Sequence, residues 1–233
     1  MKRETQNVLV LLLGLGVGVM VVKGAYLHYV KPALLPWLLI AAAVLIALAL
    51  VCILRDIRKG GIETHDGHRH SGVMVWLLLV PVVLIAFVIP PPIEASGASP
   101  VAAAQPHRRA FPPLSNERAP EVSLPEVVLR AATDSGDTLE NRLISVSGFT
   151  LIRDGGVELG RVVIVCCAAD AQLATLHLTG PGALIAAGYP EDTWLRIEGT
   201  VVPGSATAAT SFVPTMTVTG VTKIDKPANT YAY

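Results

Sequence analysis

The stretch ALLPWLLIAAAVLIALALVCIL, from Ala33 to Leu54, carries no charged side chain. At 1.5 Å per residue a helix of this length crosses the ~30 Å hydrocarbon layer of a bilayer. Two further apolar runs flank it, Val8–Val22 with an extension toward Leu27, and Val73–Ile93. A mean hydropathy of +0.56 with only 15% charged residues is too apolar for one soluble domain, and the excess falls before residue 94. Three spans are therefore predicted, at about 7–27, 33–54 and 73–93. Lys23 interrupts the first, but a lysine near a helix end can reach the headgroups. Lys2 and Arg3 before an apolar stretch also fit a secretory signal peptide, a reading opposed by the missing small-residue cleavage site and by the second span that follows at once. A processing site after the third span, around Ala95–Ala98, would release the rest of the chain.

Basic residues in short loops stay on the cytoplasmic side. Arg55, Arg58, Lys59 and Arg69 lie between the second and third runs, whereas only Lys23 and Lys31 lie between the first two. The N-terminus is thus expected inside, and three crossings put the remainder of the chain outside the membrane. No carboxylate, arginine or histidine sits in mid-span, so an ion or proton pathway through these helices alone is disfavoured. Gly14 and Gly18 form a small-xxx-small pair on which a second helix could approach closely.

From Pro90 to Pro125 the chain holds more than half of its prolines and shows neither strand nor helix period, the pattern of a tether. The linker is set at 94–122 and an outer domain at 123–233. Ser123 and Glu126 have capping-box spacing ahead of Val127–Leu129, predicting a helix over 124–133. Five strand-like segments follow, at Arg142–Ile152, Val157–Ala168, Ala174–Thr179, Thr193–Val202 and Pro214–Ile224, with a short helix at Gly182–Gly188 between the third and fourth. That order is the layout of an OB-fold-like five-stranded barrel, with a small sandwich as the alternative. Gly148, Gly199 and Gly220 fit bends within strands. The fold class expected for the whole chain is a membrane helical bundle of about three spans plus this all-β extracytoplasmic domain.

OB-folds often hold single-stranded nucleic acid, but residues 123–233 carry seven Lys and Arg against eleven Asp and Glu. A nucleic-acid groove needs the opposite balance, with stacking aromatics. No phosphate loop or dinucleotide fingerprint occurs, since GLGVG lies inside an apolar run.

Two groups of residues carry metal or thiol chemistry. The loop ETHDGHRHSG places His65, Asp66, His68 and His70 together, half of the chain's histidines, as either solvated polar residues or a modest cation site. The run GRVVIVCCAADA holds the vicinal pair Cys166 and Cys167 and then Asp170. If the strand continues through them, adjacent side chains face opposite ways and one thiol enters the core. A packing pair, a metal-binding or exchanging thiol, and a vicinal disulfide all remain open there. His177 is the one histidine on the strands that could serve a cysteine nucleophile, and no third member or oxyanion site accompanies it.

Several of these segments together resemble the YcgQ-like family of bacterial membrane proteins: YLHYVKP at Tyr26–Pro32, the His/Asp loop, SGF at Ser147–Phe149, GRVVIVCCAADA at Gly160–Ala171, and DTWLRIEGT at Asp192–Thr200. The resemblance covers nearly the whole chain and rests most on the double-cysteine run. It implies an outer domain of unassigned function and a partner, a multi-span permease, with zinc the metal implicated. Carried onto this chain, it points to Cys166, Cys167, Asp170 and Trp194, and more loosely to His65, His68 and His70. The expectation is a non-enzymatic accessory subunit, with a stand-alone metal sensor or buffer and a thiol-redox protein as rivals. In a background lacking Cys166 and Cys167, a cysteine at Ser135 should react with an impermeant thiol reagent on intact cells and one at Gly60 should not; the reverse pattern would overturn the orientation.

Overall fold

The structure, a computed structural model, describes residues 3–58, 93, 98–100, 108–153 and 156–233. The chain divides into two compact units, Met1–Pro92 and Ile93–Tyr233.

In the first unit, helix α1 (Arg3–Val22) and helix α2 (Leu35–Arg58) form an antiparallel pair. Asn7 near the start of α1 donates from Nδ2 to Asp56 Oδ2 at 2.9 Å near the end of α2. Between them Gly14 meets Ile46, and a Cβ on Gly14 would lie 2.8 Å from Ile46 Cγ1. The large apolar side chains of α2, among them Trp37, Ile40, Val44 and Leu48, point outward, while Ala42 and Ala49 are buried. Small residues at the contact and large ones facing out are the arrangement expected where lipid replaces water.

The helical segment Pro32–Arg58 is long and apolar enough to cross a membrane, and only 11% of its most apolar window is buried, unlike the core helix of a soluble protein. It supports membrane anchoring. Three spans are not seen. The first run ends as a helix at Val22, because Gly24 takes a left-handed φ of 72° and a 3₁₀ turn follows at Ala25–His28, so Lys23–Leu27 does not extend it. The third run, apart from Ile93, lies outside the described residues, as does the His65–His70 loop. The Gly14 and Gly18 pair also divides: Gly14 is spent on α2, and a Cβ on Gly18 would meet nothing within 4 Å.

The second unit is a sheet with one helix, α3 (Leu124–Thr133), packed on it and a second, α4 (Pro181–Ala187), within a connection. Among the described residues its strands are β1 (Ser99–Pro100), β2 (Leu143–Arg153), β3 (Gly156–Val163), β4 (Gln172–Thr179), β5 (Trp194–Val201), β6 (Thr215–Lys223) and β7 (Tyr231–Ala232). β2, β3 and β4 form an antiparallel meander; β5 returns antiparallel to β2, and β6 pairs antiparallel with β5 and parallel with β4. Following the pairings from β2 through β3, β4, β6 and β5 leads back to β2. Two glycines make the close approaches. A Cβ on Gly148 would lie 2.6 Å from the Gly160 carbonyl oxygen, and Gly199 sits at a register shift beside Glu198.

The main core lies between the strands and α3. Ile144, Val146, Leu159, Leu176, Leu195, Ile197, Met216 and Val218 meet Leu124 and Val127 of the helix and Ala183 and Ala186 of α4. Burying each large aliphatic side chain contributes roughly 1.5–3 kcal/mol. A second cluster gathers Phe149, Leu151, Val162, Ile164, Leu173, Trp194 and Tyr231, with Ile93, Ala98 and Ile224 against it. The Phe149 and Trp194 rings meet edge-on at 5.8 Å, and the Arg161 guanidinium lies 4.7 Å from the Trp194 ring centre.

Helix α3 occupies the range expected, but its cap differs. Ser123 makes no side-chain cap bond. Glu126 turns instead to Arg130, accepting from Nη2 at 2.7 Å and from Nε at 2.9 Å. Arg130 is almost fully buried beneath Phe111 and also donates to the Pro112 carbonyl and to Thr138 Oγ1. Residues 108–122, read by composition as tether, are accordingly strapped to the sheet unit. Arg109 exchanges backbone hydrogen bonds with Thr133 and Ser135, Val122 and Pro120 bond Ser145, and Arg142 donates to the Ser115 and Glu117 carbonyls. A chain starting at Arg108 should therefore melt cooperatively and be about 3 kcal/mol more stable than one starting at Glu121, from the backbone and arginine bonds removed. Equal denaturation midpoints would show that the strap contributes nothing.

Candidate functional site

Strand β3 stops five residues earlier than its pattern of β-branched residues suggests. Val163 pairs with Gln172, the last step of the β3–β4 ladder, and buried Ile164 follows. The amides of Val165, Cys166 and Cys167 are met within the loop. Asp170 turns back, and its carboxylate accepts from three consecutive backbone N–H groups: Val165 at 2.9 Å on Oδ1, Cys166 at 2.8 Å and Cys167 at 3.2 Å on Oδ2. A short 3₁₀ turn, Ala168–Asp170, closes the loop before β4 begins. An acceptor with several lone pairs thus satisfies donors that a ladder would otherwise need.

This capture changes where the thiols point. The expectation that one cysteine enters the core does not hold: Cys166 is exposed and Cys167 half-buried, both are free thiols, and their sulfurs lie 3.7 Å apart. The strand alternation that would have separated them has ended at Val163. Sγ of Cys166, Sγ of Cys167 and a carboxylate oxygen of Asp170 all lie within 4.8 Å of one another. Among the described residues no other group of three or more such donors is assembled.

The electrostatics of the group are those of a site short of positive charge. The thiol of Cys166 is pushed up to about 11, first by its hydrogen bond to Asp170 and then by the one to Cys167. Asp170 is held down to about 2, first by the same Cys166 thiol and further by the backbone N–H groups, against a smaller opposing effect of burial. A protonated thiol beside a carboxylate is the reverse of an activated nucleophile, which sits in electropositive surroundings.

Other residues singled out from the sequence go elsewhere. His177 pairs through Nδ1 with Glu158 Oε1 at 3.1 Å, and Glu158 stands opposite it in the β3–β4 ladder. That position is five residues, or about 17 Å, along the ladder from Val163 and the cysteine loop. His177 therefore does not serve either thiol. Trp194 is buried in the second cluster beneath Arg161 and does not line the group. His65, Asp66, His68 and His70 lie outside the described residues. Sequence reasoning missed the three-amide cap; its only trace was an aspartate four residues after the first cysteine.

Residues 128–233 match the DUF1980 C-terminal domain. The match to this family of unknown function runs from within α3 to Tyr233 and includes both cysteines and Asp170. No curated protein and no solved structure matches the chain.

Because both thiols lie outside the core, Cys166→Ala and Cys167→Ala should leave thermal melting nearly unchanged, whereas Asp170→Ala should speed amide hydrogen exchange at Val165, Cys166 and Cys167. The folded-state pKa of Asp170 lies below its ordinary value, so the cap contributes above the usual carboxylate range and is lost as pH falls through about 2. Amide chemical shifts of the three residues followed on acidification should report that transition. Strong destabilisation by either cysteine substitution would restore a packing role for the pair.

Proposed function

We propose that this chain is a membrane-anchored, non-catalytic accessory subunit of a multi-span permease, with an outer domain that captures a metal cation. The observation that carries the reading is the Cys166, Cys167 and Asp170 group: two thiols and a carboxylate on one loop, with His177 far along the ladder and, among the described residues, paired with Glu158 instead. Thiolate donors favour zinc and its heavier relatives over magnesium or calcium. The ring of strand pairings supports an OB-fold-like closed barrel as the scaffold. The permease partner and the link to zinc are taken from the YcgQ-like resemblance; the family matched over residues 128–233 is one of unknown function.

In this reading the chain crosses the membrane three times with its N-terminus in the cytoplasm. The loop holding His65, Asp66, His68 and His70 then lies on the cytoplasmic side and the cysteine loop outside, so the two cannot share one ion. Gly18, where a Cβ would meet nothing within 4 Å among the described residues, offers a close-approach point for a helix of the permease.

Purified full-length protein should retain zinc after dialysis and lose it in the Cys166→Ala, Cys167→Ala double variant. A pulldown in mild detergent should recover a multi-span protein, less of it with Gly18→Ile. Metal retained equally by the double variant would remove the outer domain from the role. Metal bound with no membrane partner recovered would instead favour a stand-alone buffer.

A further inference from the structure

The two sulfurs stand 3.7 Å apart. In tetrahedral coordination with metal–sulfur bonds of about 2.3 Å, neighbouring sulfurs are separated by about 3.8 Å, the edge of the tetrahedron. The vicinal pair is thus spaced as one edge of a zinc-type shell. The Asp170 oxygen, within 4.8 Å of both sulfurs, needs to approach only to the ~3.5 Å of a sulfur–oxygen edge. The N–H groups of Val165, Cys166 and Cys167 already fix that carboxylate's orientation, the part that outer hydrogen bonds play for metal ligands generally.

The same loop leaves one side uncovered. Cys166 is exposed, and Val165 beside it is 64% exposed. Among the described residues the group contains three donors and no fourth. Structural zinc sites close their shell with four protein ligands, whereas sites that act on or pass on a ligand keep a position open.

We infer that Cys166, Cys167 and Asp170 form an open three-ligand site for a thiophilic divalent cation with a filled d shell, and that its fourth position takes an imidazole or thiolate donor from outside the chain. The inference rests on the metal-capture reading above and goes beyond it: the site is built for handing a cation on, not for storing it. Two thiolates and a carboxylate supply three negative charges against two, so the ion is held firmly while one coordination position exchanges.

The test uses full-length protein in a Cys52→Ser background, loaded with one equivalent of cadmium-113. A thiolate-to-cadmium absorption band should appear, vanish in Cys166→Ala and in Cys167→Ala, and need about tenfold or more cadmium in Asp170→Asn. Titrated imidazole should shift the cadmium resonance saturably, and the shift should be the same in the His65→Ala, His68→Ala, His70→Ala triple variant. No thiolate band in the parent protein would overturn the metal-capture reading together with this inference. A band with a resonance indifferent to imidazole, or one changed by the triple variant, would place the fourth ligand within the chain and overturn the open site alone.

Discussion

The β3–β4 ladder is the constraint on which the sheet unit depends. From Glu158 opposite His177 to Val163 opposite Gln172 the two strands stay paired, while their outer edges change partners. β2 pairs with β3 only up to Gly160, and β7 takes that edge at Val162 and Val163. β6 pairs with β4 from His177 to Thr179, and β1 takes the other end of that edge at Gln172 and Leu173. One end of the hairpin therefore belongs to the strands that cover the main core. The other carries the second apolar cluster, and the cysteine loop projects from its tip. An exposed loop gains little order from packing of its own, so its geometry is inherited from the ladder beneath and fixed by the Asp170 cap.

A second organising centre is Arg130. A nearly fully buried guanidinium is costly unless its donors are met, and here Glu126, Pro112 and Thr138 meet them beneath the Phe111 ring. Asp134 extends the network by accepting from the Gly136 and Thr138 backbones. The same side chain thus ties the proline-rich approach to α3 and α3 to the turn before β2. Proline-rich composition signals a lack of regular structure, not a lack of attachment.

The N-terminal unit follows a different physics. Gly14 meets Leu45 and Ile46 there, Ala42 and Ala49 are buried, and bulky aliphatic side chains face outward, which in water would expose a large apolar surface. This arrangement supports anchoring through α2. The accessory role proposed above gives the remaining outward face, including Gly18, a protein or lipid partner.

The sequence by itself determined the class of each part. A charge-free run such as Ala33–Leu54 has few solutions other than a long apolar helix, and alternating or β-branched segments separated by glycine turns have few other than strands, so α2, α3, α4 and β2 through β6 were legible to within a few residues. Local signals failed where a side chain outbid the local pattern. Ser123 and Glu126 have capping-box spacing, yet Glu126 is claimed by Arg130. Val162–Cys167 reads as continuing strand, yet the carboxylate of Asp170 captures the amides after Ile164 and ends it. Only the tertiary structure decided that both cysteines lie outside the core with their sulfurs side by side. That outcome depends on where one aspartate finds its hydrogen-bond donors, and no hydrophobic period records it.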